Sequence, residues 1–166
     1  MEFETAKAKF IQAWGTLGSS WGINRTMSQI HALLIINTDP LTTEEIMAEL
    51  KVSRGNVNMN IRALMEWGLV NKELVPGERK EYFSAGKDIW QVARQIAKER
   101  KRREVEPILD VISQVKNAEG DGKEVEEFNR MMQEIEDFTS KADTTLDKFI
   151  KSDENWFYKT LLTLMK

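Results

Sequence analysis

Residues 41–84 carry a close succession of helix starts, helix stops and one hairpin turn, and few folds accommodate that order. Thr42 and Glu45 stand at the spacing of a capping box, in which hydroxyl and carboxylate satisfy the orphan amides of a first helical turn. Ile46, Met47 and Leu50 follow on one helical face. Val52 opens a short turn, and Ser53 is a suitable N-cap for a second helix. In that helix Val57, Ile61 and Leu64 are spaced by four and three, which makes them a buried stripe. Gly68 can take the left-handed conformation that ends a helix. Residues 69–75 and 80–84 read as paired strands with Pro76-Gly77 at the tip. The order predicts a winged helix-turn-helix, whose second helix enters the major groove of DNA while the hairpin lies along the backbone.

The buried stripe leaves Arg54, Asn56, Asn58, Met59 and Arg62 mostly on the other faces of the second helix, with Ser53 at its start. Arg can bind guanine through two hydrogen bonds, and Asn can do the same with adenine. Asn56, Asn58 and Asn60 are poor helix formers, which points to a use beyond helix stability. The wing adds Lys72, Arg79 and Lys80 as candidate phosphate contacts. Two other readings of the same residues stay open: a solvated helix face, and a winged helix that contacts protein.

These motifs also carry a resemblance. Ser53-Arg54-Gly55-Asn56-Val57-Asn58-Met59-Asn60-Ile61-Arg62, followed by Trp67-Gly68-Leu69-Val70, resembles the GbsR-type branch of the MarR-related transcriptional regulators. So do Trp21-Gly22-Ile23-Asn24-Arg25-Thr26 and Gln29-Ile30-His31-Ala32-Leu33-Leu34; the likeness spans about the first 105 residues. It implies a homodimeric bacterial repressor of osmoprotectant uptake or synthesis genes, in some members responsive to choline or related betaines. It also implies that the first helix joins the dimer interface and the second supports the helix-turn-helix.

A chain of 166 residues can hold one compact domain, or a small domain with a dimerisation arm. The net charge of −3 is unevenly spread. Residues 1–41 are neutral, residues 42–103 carry thirteen basic against nine acidic side chains, and residues 104–166 carry eight against fifteen. Positive charge is therefore gathered on the helix-turn-helix and just after it, leaving one face to bind DNA and an acidic end to be repelled by it. The absence of Cys rules out disulfides and thiolate metal sites and fits a reducing cytoplasm. No apolar run approaches the roughly 20 residues a membrane helix needs, and Met-Glu-Phe-Glu-Thr-Ala-Lys does not resemble a signal peptide; a cytoplasmic protein is expected. Enzymatic readings are poor. There is one His, no phosphate-binding glycine loop, no zinc pair and no nucleophile elbow, so no cofactor is expected. His31, in an apolar helix, reads as a structural residue.

The flanking segments should be helical. Phe3, Ala6, Phe10, Ala13, Trp14 and Leu17 recur at helical spacing, with Gly15, Gly18 and Gly22 weakening the end. A second helix is expected over residues 25–37, with Met27, Ile30, Leu33 and Leu34 inward. A third should begin near Lys87 and kink or restart at Pro107. Its basic run at 98–103 reads as a phosphate patch or, in preference, as a solvated surface of pairs such as Glu99/Arg103 and Arg100/Glu104. Val125, Phe128, Met132, Ile135, Thr139, Ala142, Leu146 and Phe149 then form a heptad seam, to be paired between chains or folded back on the preceding helix. Ser152-Asp153 should cap an apolar last helix, buried in a dimer. Quaternary ammonium groups are held by aromatic cages, so Trp14, Trp21, Trp90 and Trp156 are candidate ligand residues; the alternative is that they fill junctions between helices.

The fold expected is therefore mainly α: a winged helix-turn-helix with its N-terminal helix over residues 1–86, a small β-hairpin wing, and flanking dimerisation helices over residues 87–166. The function expected is a dimeric repressor on a pseudo-palindromic double-stranded operator, tuned by a small cationic osmolyte. The alternatives are a protein-interaction module and an effectorless architectural DNA-binding protein.

Overall fold

A computed structural model describes residues 1–152 and Thr163. The chain divides into two compact units, residues 1–92 and 93–166.

The first unit is assembled on one helix. Its elements are α1 (Phe3–Ser20), α2 (Arg25–Ile36), β1 (Leu41–Thr42), α3 (Thr43–Leu50), α4 (Arg54–Glu66), β2 (Val70–Leu74), β3 (Glu81–Ala85) and the start of α5 (Ile89–Arg100). In α2, Ile30, Ala32 and Leu33 have no solvent exposure, and Met27, His31 and Leu34 are nearly as deep. The helix is surrounded because α1, α3, α4 and β3 all pack against it. Ile46, Val57, Ile61, Leu64 and Phe83 supply the apolar surface that covers it. The sheet has the order β1-β3-β2, all antiparallel, with Leu41 opposite Phe83 and Val70 opposite Ala85. Two-residue β1 was not anticipated, since it has no alternation of its own and exists only as an edge partner of β3.

The α1 helix turns a different face inward from the one its large apolar residues suggest. Ile11, Gly15 and Gly18 are buried, whereas Phe3, Phe10 and Leu17 are 73%, 36% and 40% exposed. The glycines are contact points with α2 as well as weak helix formers. A Cβ on Gly18 would lie 1.9 Å from Ser28 Oγ, and one on Gly15 would lie 2.7 Å from Gln29 Cγ. The helix ends in a Schellman motif: Ile23 N–H donates to Gly18 O at 2.8 Å and Gly22 N–H to Ser19 O at 3.0 Å, with Gly22 at φ 76°. At the other end of α2, Lys87 Nζ donates to the carbonyls of Leu34 (2.9 Å), Ile35 (2.6 Å) and Asn37, closing off groups that a helix C-terminus leaves unpaired. Asp88 Oδ1 accepts from Trp90 N–H and Gln91 N–H and starts α5.

In the second unit α5 runs into a π-helical turn at Lys101–Val105, then α6 (Glu106–Val115) and α7 (Lys123–Lys151). Pro107 lies in the first turn of α6, and its ring cannot sit under a normally placed Arg103 carbonyl; the widened turn is where the ladder gives way. The α6 and α7 helices form a hairpin. Asn129 brackets the loop, accepting from Ala118 N–H at 2.8 Å and donating to Ala118 O at 3.1 Å, and Lys116 pairs with Glu136 at 2.6 Å. The heptad seam thus folds back within the chain: Val125, Met132, Thr139, Ala142, Leu146 and Phe149 are half-buried, while Phe128 and Ile135 stay exposed. The basic run is largely committed to carboxylates. Arg102 and Arg103 hold the buried Glu99 at 2.7 and 3.4 Å, Arg100 holds Glu104 at 3.1 Å, and Lys101 reaches Asp143 and Asp147 at 3.0 and 3.1 Å. The expected last helix lies outside the described residues.

Two outcomes test this packing. Gly18→Ala should cost about 1–3 kcal/mol in urea unfolding, because the new methyl has nowhere to go without parting α1 from α2. His31 is buried, its Nε2 has no hydrogen-bond partner among the described residues, and burial pushes its pKa down to about 4. The folded state then binds fewer protons than the unfolded one between pH 6.5 and 4, so the neutral ring's contribution is complete above pH 6.5 and is lost as pH falls through that window. Stability should drop by roughly 2–4 kcal/mol across it, and His31→Gln should flatten the drop.

Candidate nucleic-acid interface

The helix-turn-helix is built by local caps. Thr42 Oγ1 accepts from Glu45 N–H at 3.3 Å, and Glu45 Oε2 accepts from Thr42 N–H at 2.7 Å, a complete capping box. Lys51 takes the left-handed conformation at φ 54° to close α3, unusual for a residue with a side chain. Ser53 Oγ then accepts from Asn56 N–H at 3.4 Å to open α4. The far end of α4 is a second Schellman motif, with Leu69 N–H on Leu64 O and Gly68 N–H on Met65 O, both 2.9 Å, and Gly68 at φ 68°. The direction and both ends of α4 are therefore fixed by short-range bonds.

Its outer side carries a shallow open groove of about 450 Å³ lined by Gly55, Asn58, Met59, Arg62, Ala63 and Glu66. Met59 is 59% exposed, an apolar side chain left in water. Arg54 is exposed at the start of the helix, where its Nη2 pairs with Glu44 Oε1 of α3 at 2.6 Å. That bond, the largest cause, holds the Glu44 carboxyl below its usual range, and the Lys80 charge adds to it. Lys80 acts on Glu45 in the same direction, behind the stronger hydrogen bonds from Thr42. Asn58 Oδ1 accepts weakly from Thr43 Oγ1 at 3.5 Å. Ser53 is spent on capping. Asn56 is half-buried, and its Oδ1 accepts from Asn60 Nδ2 at 2.6 Å. Asn60 itself is buried, and its role was missed in the sequence, where it reads as one more polar residue in a polar run.

The wing is a hairpin closed by the turn Val75-Pro76-Gly77-Glu78, with Glu78 N–H on Val75 O at 3.0 Å and Gly77 at φ 88°. Proline and then glycine at the two central positions are what a type II turn requires. Lys72 pairs across the strands with Glu81, and Tyr82 Oη donates to Glu78 at 2.5 Å, which pushes the phenol upward. Residues 71–80 are all exposed, Arg79 and Lys80 among them.

Three of the four candidate ligand tryptophans lie within the described residues. Trp14 is half-buried on α1, its ring centroid 5.5 Å from that of Phe10. Trp21 is the C-cap of α1 and 49% exposed, Trp90 lies half-buried in the first turn of α5, and Trp156 falls outside the described residues. Among the described residues there is no group of His, Asp and Glu fit to hold a metal ion, and no helix long and apolar enough to cross a membrane.

Comparison with known proteins bears on this domain. Residues 21–81 match the model of the MarR family. No curated protein matches the chain. Among solved structures, one titled as the crystal structure of a transcriptional regulator superposes with a TM-score of 0.67 at 19% identity, covering 87% of this chain and 95% of that one. That likeness shows a shared fold, mainly helical with a small antiparallel sheet. The capped α3–α4 pair and the hairpin make this part of the chain a winged helix-turn-helix, and residues 21–81 are similar to the MarR family model that they match.

Proposed function

We propose that the protein is a sequence-specific DNA-binding transcription regulator that acts as a homodimeric repressor in the cytoplasm. The observation that carries the reading is the outer side of α4, an open groove edged by Asn58, Met59 and Arg62, on a helix whose ends are both locked. Arg54 and Arg62 supply guanine-reading forks, and Arg79 and Lys80 in the wing supply charge for phosphates. The exposed apolar residues support a dimer. Phe3, Phe10 and Leu17 on α1, Ile108, Val111 and Val115 on α6, and Phe138 on α7 leave surface that a second copy would cover. Two copies of α4 would then read half-sites of a pseudo-palindrome about 34–36 Å apart. The GbsR-type assignment, with control of osmoprotectant genes and choline or betaine as effector, rests on the sequence resemblance and the tryptophan count.

Three measurements test the reading. On a selected duplex, Arg54→Ala should lose about 1–3 kcal/mol of specific binding, while Lys80→Ala should weaken all sequences alike; gel shifts in which both bind like wild type would count against the interface. In sedimentation, Phe10→Glu combined with Leu17→Glu should give a folded monomer, since both side chains are exposed, and operator affinity should fall at least tenfold, about 1.4 kcal/mol. Millimolar choline or glycine betaine should quench or shift tryptophan fluorescence and weaken operator binding; if neither signal moves, an effectorless repressor is the better account.

A further inference from the structure

The Asn56–Asn60 pair has only one consistent orientation. Asn60 Nδ2 lies 2.8 Å from the Asn56 backbone oxygen and 2.6 Å from Asn56 Oδ1. A backbone carbonyl can only accept, so the Asn60 atom beside it must be the amide nitrogen, which donates one hydrogen to each oxygen. The Asn56 atom facing that nitrogen must in turn be an acceptor. Turning either amide over would set donor against donor or acceptor against acceptor at hydrogen-bond distance, and Asn60 is only 2% exposed, with little water to relieve the clash. Asn56 therefore gives its oxygen to the buried layer and keeps its NH2 group, which makes no hydrogen bond among the described residues.

We infer that Asn60 is a positioning residue that fixes the Asn56 amide with its oxygen on Asn60, so that Asn56 contacts a hydrogen-bond acceptor on DNA through its NH2 group rather than reading adenine. The adenine contact needs Asn oxygen and nitrogen side by side on N6 and N7, and here the oxygen is turned to Asn60. What remains suits guanine O6 or N7, thymine O4 or a phosphate oxygen. The inference rests on the DNA-binding reading above and adds a direction to it. Asn58, whose oxygen has only a weak partner, is under no such restriction.

The test uses the full chain and a duplex selected by it from random sequence. Base analogues lacking N7, O6, O4 or the adenine N6 amino group, and methylphosphonate linkages, are placed one at a time along each half-site. One of the acceptor deletions should weaken wild type five- to tenfold yet cost Asn56→Ala nothing further; a base analogue identifies a base edge, a methylphosphonate identifies a phosphate. Asn60→Ala, checked for folding by its urea midpoint, should still bind but lose that coupling, and in the Asn56→Ala background it should change no preference. If Asn60→Ala does not fold, Asn56→Asp serves instead, since it keeps an acceptor toward Asn60 and removes the donor; it too should lose the coupling. Coupling of Asn56 to an adenine N6 group, coupling to no acceptor, or a coupling that survives Asn60→Ala or Asn56→Asp overturns the inference while leaving DNA binding intact. A chain that selects no duplex overturns both.

Discussion

The burial of α2 on nearly every side fixes where the other elements of the first unit can lie. A helix with Ile30, Ala32 and Leu33 fully out of water needs partners all round, and α1, α3, α4 and β3 supply them. The closeness of α1 is set by two missing side chains, at Gly15 and Gly18. The placement of α4 is set by Val57, Ile61 and Leu64, which bury one stripe and so aim the opposite one outward. The outward face of α4 is thus a by-product of packing: Arg62 faces solvent because Ile61 and Leu64 do not. His31 is the weak point of that core, a titratable ring whose burial disfavours its charged form.

Features whose cause lies within a few residues were legible in the sequence. The capping box at Thr42, the Ser53 cap, the Gly68 stop, the Pro76-Gly77 turn and the break at Pro107 each depend on neighbours no more than five positions away. What could not be read depends on distant partners. β1 has two residues and exists only against β3. The inner face of α1 is its small one, because closeness to α2 matters more there than the area of Phe3 or Phe10. The heptad seam of α7 was legible as a seam, but its choice between an own-chain and an outside partner turns on Asn129 and Lys116, which the apolar pattern does not include. Of the candidate interface, Arg54, Asn58, Met59 and Arg62 are exposed as their positions suggested, whereas the division of labour between Asn56 and Asn60 follows from the burial of Asn60, which a run of polar residues does not display.

Charge follows the same division between local and distant. The run at 98–103 looks like a basic patch in one dimension, yet in three its members hold Glu99, Glu104, Asp143 and Asp147. In a chain whose net charge is −3, the cations that are least committed matter most. Arg79 and Lys80 are exposed in the wing, and the Lys80 charge adds to the lowering of the Glu44 and Glu45 carboxyls behind their hydrogen bonds.

One lysine ties the wing to the core. Lys87 follows the last wing strand by two residues, and its ammonium places its donors on Leu34, Ile35 and Asn37 carbonyls converging at the end of α2. That convergence suits a compact tetrahedral head. A guanidinium presents its donors in one plane and would miss it, although its charge is the same. The position therefore discriminates by shape between two residues that a charge count treats as equivalent, and a swap to arginine would leave the composition's balance untouched while unfastening the strand that carries the wing.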